Sequence, residues 1–214
     1  MTTRPSTTID VVSDVVCPWC YVGKRRLSAA IALRPDVQIA VRWHPFQLDP
    51  TIPAEGVDRK AYLARKFGSE ERVAEIHEQI KAAGESVGIS FAFDLIARSP
   101  NTLSAHRLIH AAPTADIQDR LVERLFALYF TEGRDIGNAI VLADAAADAG
   151  LERAAAAQLI AGDDGLNAVR QEISAAQNAG IRGVPCFIFG QRYAVSGAQP
   201  PELMADMIDR TISA

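Results

Sequence analysis

The chain has 214 residues, a formal charge of −4 at neutral pH, 49% hydrophobic residues and 22% charged ones. That length suits one large domain or one fold carrying a sizeable insertion, and the charge gives no reason to expect a nucleic acid or an anionic membrane as partner. No apolar run approaches the roughly 20 residues of a membrane span, and the polar start from Met1 to Thr8 lacks the apolar segment of a secretory signal, so the expectation is a cytoplasmic protein.

Ile9 to Val16 reads as a strand buried on both faces, because it is short and β-branched rather than alternating. Asp14 interrupts it, and Cys17-Pro18-Trp19-Cys20 closes it. Pro18 suits a helix start, where its missing N–H costs nothing. Leu27, Ala30 and Ile31 carry the helix from Tyr21 to Leu33, and Pro35 stops it. The Lys24-Arg25-Arg26 run on it is expected to be a solvated face. Val37, Ile39, Val41 and Trp43 alternate as a second strand, completing a βαβ unit.

His44 to Gly56, with three prolines, is an irregular loop. From 58 to 179 strand signals nearly vanish and helical spacing takes over. Its landmarks are Val73, Ile76, Ile80 and Ala83; Leu103, Leu108 and Ile109 behind an Asn101 N-cap; Ile117, Leu121, Leu125 and Leu128; Ile140 to Ala146; an Ala-rich stretch from Glu152 to Ala161; and Leu166 to Ala176. Strand character returns at Pro185 to Phe189. Gly190-Gln191 fits a two-residue turn into Arg192 to Val195, and Pro200-Pro201 opens a last helix with Leu203, Met204, Met207 and Ile208 on one side. A βαβ piece and a ββα piece sharing one sheet make an α/β, thioredoxin-like fold with a large all-helical insertion. Residues 1–56 and 180–214 form the discontinuous thioredoxin-like domain, and 57–179 the helical insertion.

Three cysteines are too few for a disulfide scaffold. A C-x-x-C pair is then redox-active or half of a metal site. A metal needs two further ligands, and only Cys186, His44, His77, His106 and His110 are available, with no second close pair beyond His106 and His110 four apart on a helix. No metal is expected. Where a buried strand turns into a helix, the unpaired N–H groups and positive dipole end favour a thiolate on the first cysteine.

Asp14-Val-Val-Cys-Pro-Trp-Cys20, Trp43-His-Pro-Phe-Gln-Leu-Asp-Pro50, Asn101-Thr-Leu-Ser-Ala-His106, Gly183-Val-Pro185 and Ser196-Gly-Ala-Gln199 together resemble the DsbA-family thioredoxin-fold oxidoreductases, in particular the cytoplasmic FrnE-type branch. The resemblance covers almost the whole chain. It implies dithiol–disulfide exchange with Cys17 as nucleophile, Cys20 as resolving thiol, and a cis Val184–Pro185 bond beside Cys17 that holds an extended substrate. Pro18 and Trp19 would set the redox poise; Trp19 either offers an apolar docking surface or covers the helix start. Asp14 either accepts the proton of Cys20 or bonds to backbone N–H groups. Cys186 departs from the family pattern and is a candidate third thiol or a small buried residue. No bound cofactor is implied. The expected partners are a disulfide-containing protein or small molecule, with glutathione as a co-substrate or a thioredoxin-like protein as reductant. Two rival readings share the fold: a glutathione-dependent isomerase of the 2-hydroxychromene-2-carboxylate type, and a non-catalytic binding or chaperone module.

Overall fold

The computed structural model describes residues 4–213. Its central strand is β1 (Ser6–Ser13), which leads into helix α1 (Pro18–Ala32) and strand β2 (Gln38–Pro45). Two short strands, β3 (Val57–Asp58) and β4 (Arg98–Ser99), pair with each other and bracket α2 (Arg59–Phe67) and α3 (Glu70–Glu85). Then come α4 (Leu103–Ala111), α5 (Ala115–Phe130), α6 (Ala139–Asp148), α7 (Arg153–Ala161) and α8 (Leu166–Asn178). The chain ends with β5 (Cys186–Phe189), β6 (Tyr193–Ser196) and α9 (Pro201–Ile212).

The main sheet runs β2-β1-β5-β6. β1 and β2 are parallel, with Ile9 opposite Val41, whereas β1 and β5 are antiparallel, with Val12 opposite Cys186. The two elements flanking β1 therefore come from opposite ends of the chain. Side chains alternate across the pleat. Ile9, Val11, Phe187 and Phe189 pack in the large core with α1 and α9, while Val12, Cys186 and Phe46 form a smaller cluster capped by Ala176 and Ile181.

The insertion shares the large core. Tyr21 of α1 stacks on Phe126 of α5 at 5.1 Å between ring centroids, and Phe91 and Phe130 complete the aromatic column. Lys24 is 5% exposed rather than solvated; its Nζ lies 2.8 Å from Asp119 and 3.4 Å from Glu123 of α5. The sequence shows only a basic run there; α5 supplies the carboxylates that make burial tolerable. On the other sheet face His44 bonds Asp10 (2.9 Å) and Glu172 of α8 (3.3 Å), and Glu172 also takes His110 of α4 (2.8 Å).

Several boundaries differ from the sequence expectation. The first strand starts at Ser6 and ends at Ser13, so Asp14 sits in the following turn, where its carbonyl accepts the Cys17 N–H at 2.9 Å. Helix α1 begins at Pro18 rather than Tyr21. Helix α2 is announced by caps rather than by apolar spacing: the Asp58 carboxylate accepts from Ala61 N, and Gly68 ends the helix at φ 100°. Thr102 occupies the N-cap position of α4, although the Asn101 side chain still accepts from Leu103 N at 3.0 Å. The β5–β6 loop has three residues, Gly190 to Arg192, since Phe189 pairs with Tyr193; Gly190 and Gln191 both have positive φ. Leu203 faces outward at 40% exposure while Met204 and Ile208 are buried.

Candidate active site

Cys17 is the N-cap residue of α1, in extended conformation at φ −94° and ψ 111°, with Pro18 opening the helix. Its carbonyl accepts the first intrahelical bond, from Cys20 N at 3.0 Å, so the two thiols stand one turn apart at the positive end of the helix dipole. Both are free thiols; Cys17 is 5% exposed and Cys20 fully buried. Burial, and then the neighbouring Cys17, hold the Cys20 thiol well above its ordinary value, with the Ser13 hydroxyl and Asp14 backbone opposing. Trp19 is 37% exposed at the rim.

Across from the pair, Cys17 Sγ lies 3.6 Å from the Val184 carbonyl, and the Val184–Pro185 bond is cis. The loop is fixed by Gly197 N donating to Pro185 O at 2.8 Å, and Arg26 Nη1 donates to Ala198 O. Gly23 lets α1 approach this closely: a Cβ there would stand 3.0 Å from Phe187 and 3.1 Å from Pro185.

Asp14 is 1% exposed. Its Oδ2 accepts the Leu48 N–H at 2.8 Å and its Oδ1 lies 3.3 Å from Nε2 of His106, itself 3% exposed. The carboxylate thus fixes the loop after β2 and orients a buried imidazole on α4. A sequence separation of 92 positions between Asp14 and His106 hides this pair from a local reading of the sequence. Cys186 stands apart. It sits with Val12 and Phe46 on the opposite face of the sheet from Cys17 and Cys20, and burial raises its thiol.

A cavity of about 110 Å³ opens beside Pro18, lined by Leu48, Arg59, Tyr62, Lys66 and Phe67 among others. Arg59 is 8% exposed; it donates to the Tyr129 hydroxyl at 2.9 Å, and among the described residues no carboxylate is within ion-pair distance of it. Lys66 donates to Tyr62 at 2.9 Å. Arg59 also escaped the sequence reading, since nothing local distinguishes it from a surface arginine. Among the described residues no cluster of three His, Cys, Asp or Glu could hold a metal ion, and no helix is long and apolar enough to cross a membrane.

Among solved structures, the chain is similar to a probable DsbA oxidoreductase, SCO1869, from Streptomyces coelicolor, at 28% identity and TM-score 0.85, covering 96% of this chain and 89% of that one. It shares its fold with a 2-hydroxychromene-2-carboxylate isomerase (15% identity, TM-score 0.73, 95% of each chain). The same holds for the cytosolic disulfide reductase DsbM from Pseudomonas aeruginosa, described with GSH (20% identity, TM-score 0.68, 97% of this chain and 100% of that one). The DSBA-like thioredoxin domain family matches residues 8–209, from within β1 to within α9, and the chain belongs to that family.

Proposed function

We propose that the chain is a thiol–disulfide oxidoreductase working through Cys17 and Cys20. The observation that carries this reading is the placement of Cys17 at the N-cap of α1, facing the Val184 carbonyl, with Cys20 buried one turn behind it. The Cys17 thiolate attacks one sulfur of a substrate disulfide, forming a mixed disulfide and expelling the other sulfur as thiolate. Cys20, once deprotonated, attacks Cys17 Sγ; a Cys17–Cys20 bond forms, and the second substrate thiolate leaves with the electron pair. The Val184 carbonyl and the backbone around Pro185 offer an extended substrate segment a partner beside the reacting sulfur.

The redox centre consists of protein atoms, so no bound cofactor enters. Glutathione is the co-substrate we favour for returning the pair to its dithiol, ahead of a thioredoxin-like reductant, because the cavity beside Pro18 offers two cations, Arg59 and Lys66, to its carboxylates. A cytoplasmic location accords with three free thiols and with the cytosolic description of DsbM.

Turnover of a glutathionylated peptide, followed with wild type, Cys17→Ser and Cys20→Ala, tests the proposal. Cys17→Ser is expected to abolish exchange, and Cys20→Ala to accumulate a covalent Cys17–substrate adduct. Full activity of Cys20→Ala in isomerising a 2-hydroxychromene-2-carboxylate with glutathione would instead select the isomerase reading. Suppression of aggregation without any disulfide turnover would select a binding module.

A further inference from the structure

Arg59 opens α2 and is 8% exposed, yet among the described residues no carboxylate lies within ion-pair distance of it. Its guanidinium donates once, from Nη1 to the Tyr129 hydroxyl at 2.9 Å, and stands 5.5 Å from the Tyr129 ring and 5.9 Å from the Phe93 ring. Among the described residues Nε and Nη2 have no protein acceptor. A guanidinium carries its donors in a fixed fork, and a buried charge without a counter-charge is costly, so the open edge points to an anion from outside the chain.

The cavity beside Pro18, of about 110 Å³, and a second of about 300 Å³ between α2 and α3 share Arg59, Leu63 and His77. The first wall is otherwise mainly apolar, with Leu48, Ile52, Phe67, Ile76 and Ile80. Its other charged groups are engaged: Asp14 by Leu48 N and His106, Asp49 by Thr51, and Lys66 by Tyr62. The second cavity carries the carboxylates Glu70 and Asp94, so an anion reaches Arg59 from the Pro18 side, next to Cys17. We propose that Arg59 is the specificity-determining residue of the site: it holds the carboxylate of a small acidic disulfide whose sulfur meets Cys17 past Pro18. The proposal rests on the dithiol reading above and extends it from glutathione to compact carboxylate-bearing disulfides as a class.

In the exchange, the Cys17 thiolate attacks the sulfur of the anchored half. The S–S bond breaks, and the other half leaves as a thiolate with the electron pair. The carboxylate stays on Arg59 in the mixed disulfide until Cys20 displaces the anchored half as the second thiolate. A planar guanidinium meets a carboxylate through two parallel N–H bonds, and apolar walls keep water from weakening them. The chain as a whole carries −4, so a preference for anions has to be local.

The probes are dithiodipropionate and its uncharged diamide, which differ in charge and hardly in size. The rate at which each oxidises the reduced Cys17–Cys20 pair is divided by its rate with free dithiothreitol, which removes the intrinsic difference between the two leaving thiols. In wild type the corrected rate should favour the acid by about tenfold or more, the scale of a hydrogen bond to a charged group. The preference should hold at about 0.1 M and about 1 M salt alike, since a buried cation is screened little. Arg59→Gln should bring the ratio close to unity by weakening saturation with the acid, and Arg59→Lys should restore part of it. Equal corrected rates in wild type, a ratio that survives Arg59→Gln, or a preference that vanishes at the higher salt would overturn the proposal. If Arg59→Gln fails to fold, the wild-type ratio and its salt dependence decide alone. Neither probe contains glutathione, so the outcome is independent of that co-substrate. If neither probe oxidises the pair, the dithiol reading itself has failed and the role of Arg59 falls with it.

Discussion

At the scale of single residues, the site depends on which way neighbouring side chains point. Cys186 is two residues from the carbonyl that faces Cys17, yet strand alternation sends its side chain to the opposite face of the sheet. Cys186→Ala should therefore leave exchange kinetics unchanged and cost about 1 kcal/mol of stability, comparable to deleting a buried methylene. Paired rate and denaturant-melt measurements would show this; a Cys17–Cys186 disulfide by mass spectrometry would contradict it. Gly23 is the converse case, small because Phe187 and Pro185 approach it. Gly23→Ala should push α1 away from the Val184–Pro185 loop, cost about 1–3 kcal/mol as overpacking does, and slow exchange, whereas Ala at the unobstructed Gly183 should slow exchange far less. The C-P-W-C turn and the Gly183-Val-Pro185 segment were legible because their chemistry is local. Arg59 and the pairing of Asp14 with His106 were not, since each acquires meaning only from residues brought to it by other elements.

At the scale of elements, helical periodicity located most of the insertion, but boundaries followed caps. Asp58, Ser69, Thr114, Asn138 and Glu152 each accept a first-turn N–H. Helix α2 was missed because its charged residues mask the apolar spacing, and β3 and β4, two residues each, are too short to leave a pattern. The network joining α8 and α4 to β1 and β2 gives the elements a pH dependence. A hydrogen bond donated to Glu172, opposed by burial and aided by Asp10, raises His44 above 6.5. His44 foremost, against burial, lowers Glu172 below 4.5, and Arg42 and His44 overcome burial to lower Asp10 below 3.8. The His44 contribution is thus complete below pH 6.5 and is lost as pH rises through its raised value. The carboxylate contributions are complete above 4.5 and are lost as pH falls. The stability difference between wild type and His44→Gln should peak between these limits and narrow on either side. A flat difference from pH 4 to 8 would show that the network contributes no pH dependence.

At the scale of the whole molecule, the division into a thioredoxin-like part and an insertion describes the path of the chain better than its packing. Tyr21, Phe91, Phe126 and Phe130 form one aromatic column across both, and Lys24 of α1 is buried against carboxylates of α5. Phe126→Ala should cost about 3–5 kcal/mol. It should lower the melting of sheet and insertion together, read as coincident far-UV circular dichroism and tryptophan fluorescence transitions. Two separated transitions would mean that the units fold independently. Sequence order alone could reveal the split path of the sheet, because strand and helix signals are sequential; it could not reveal the shared core, which arises from faces of helices meeting.

The position of β1 also matters during synthesis. Its β2 neighbour leaves the ribosome within a few tens of residues, whereas β5, opposite Val12, begins at Cys186. At about 5–20 residues per second the gap is on the order of 10–30 s. Throughout that interval Cys17 and Cys20 are already outside the ribosome, while the Val184 carbonyl that will face them has not been made. The nascent chain therefore carries an open sheet edge and two unguarded thiols until β5 is made.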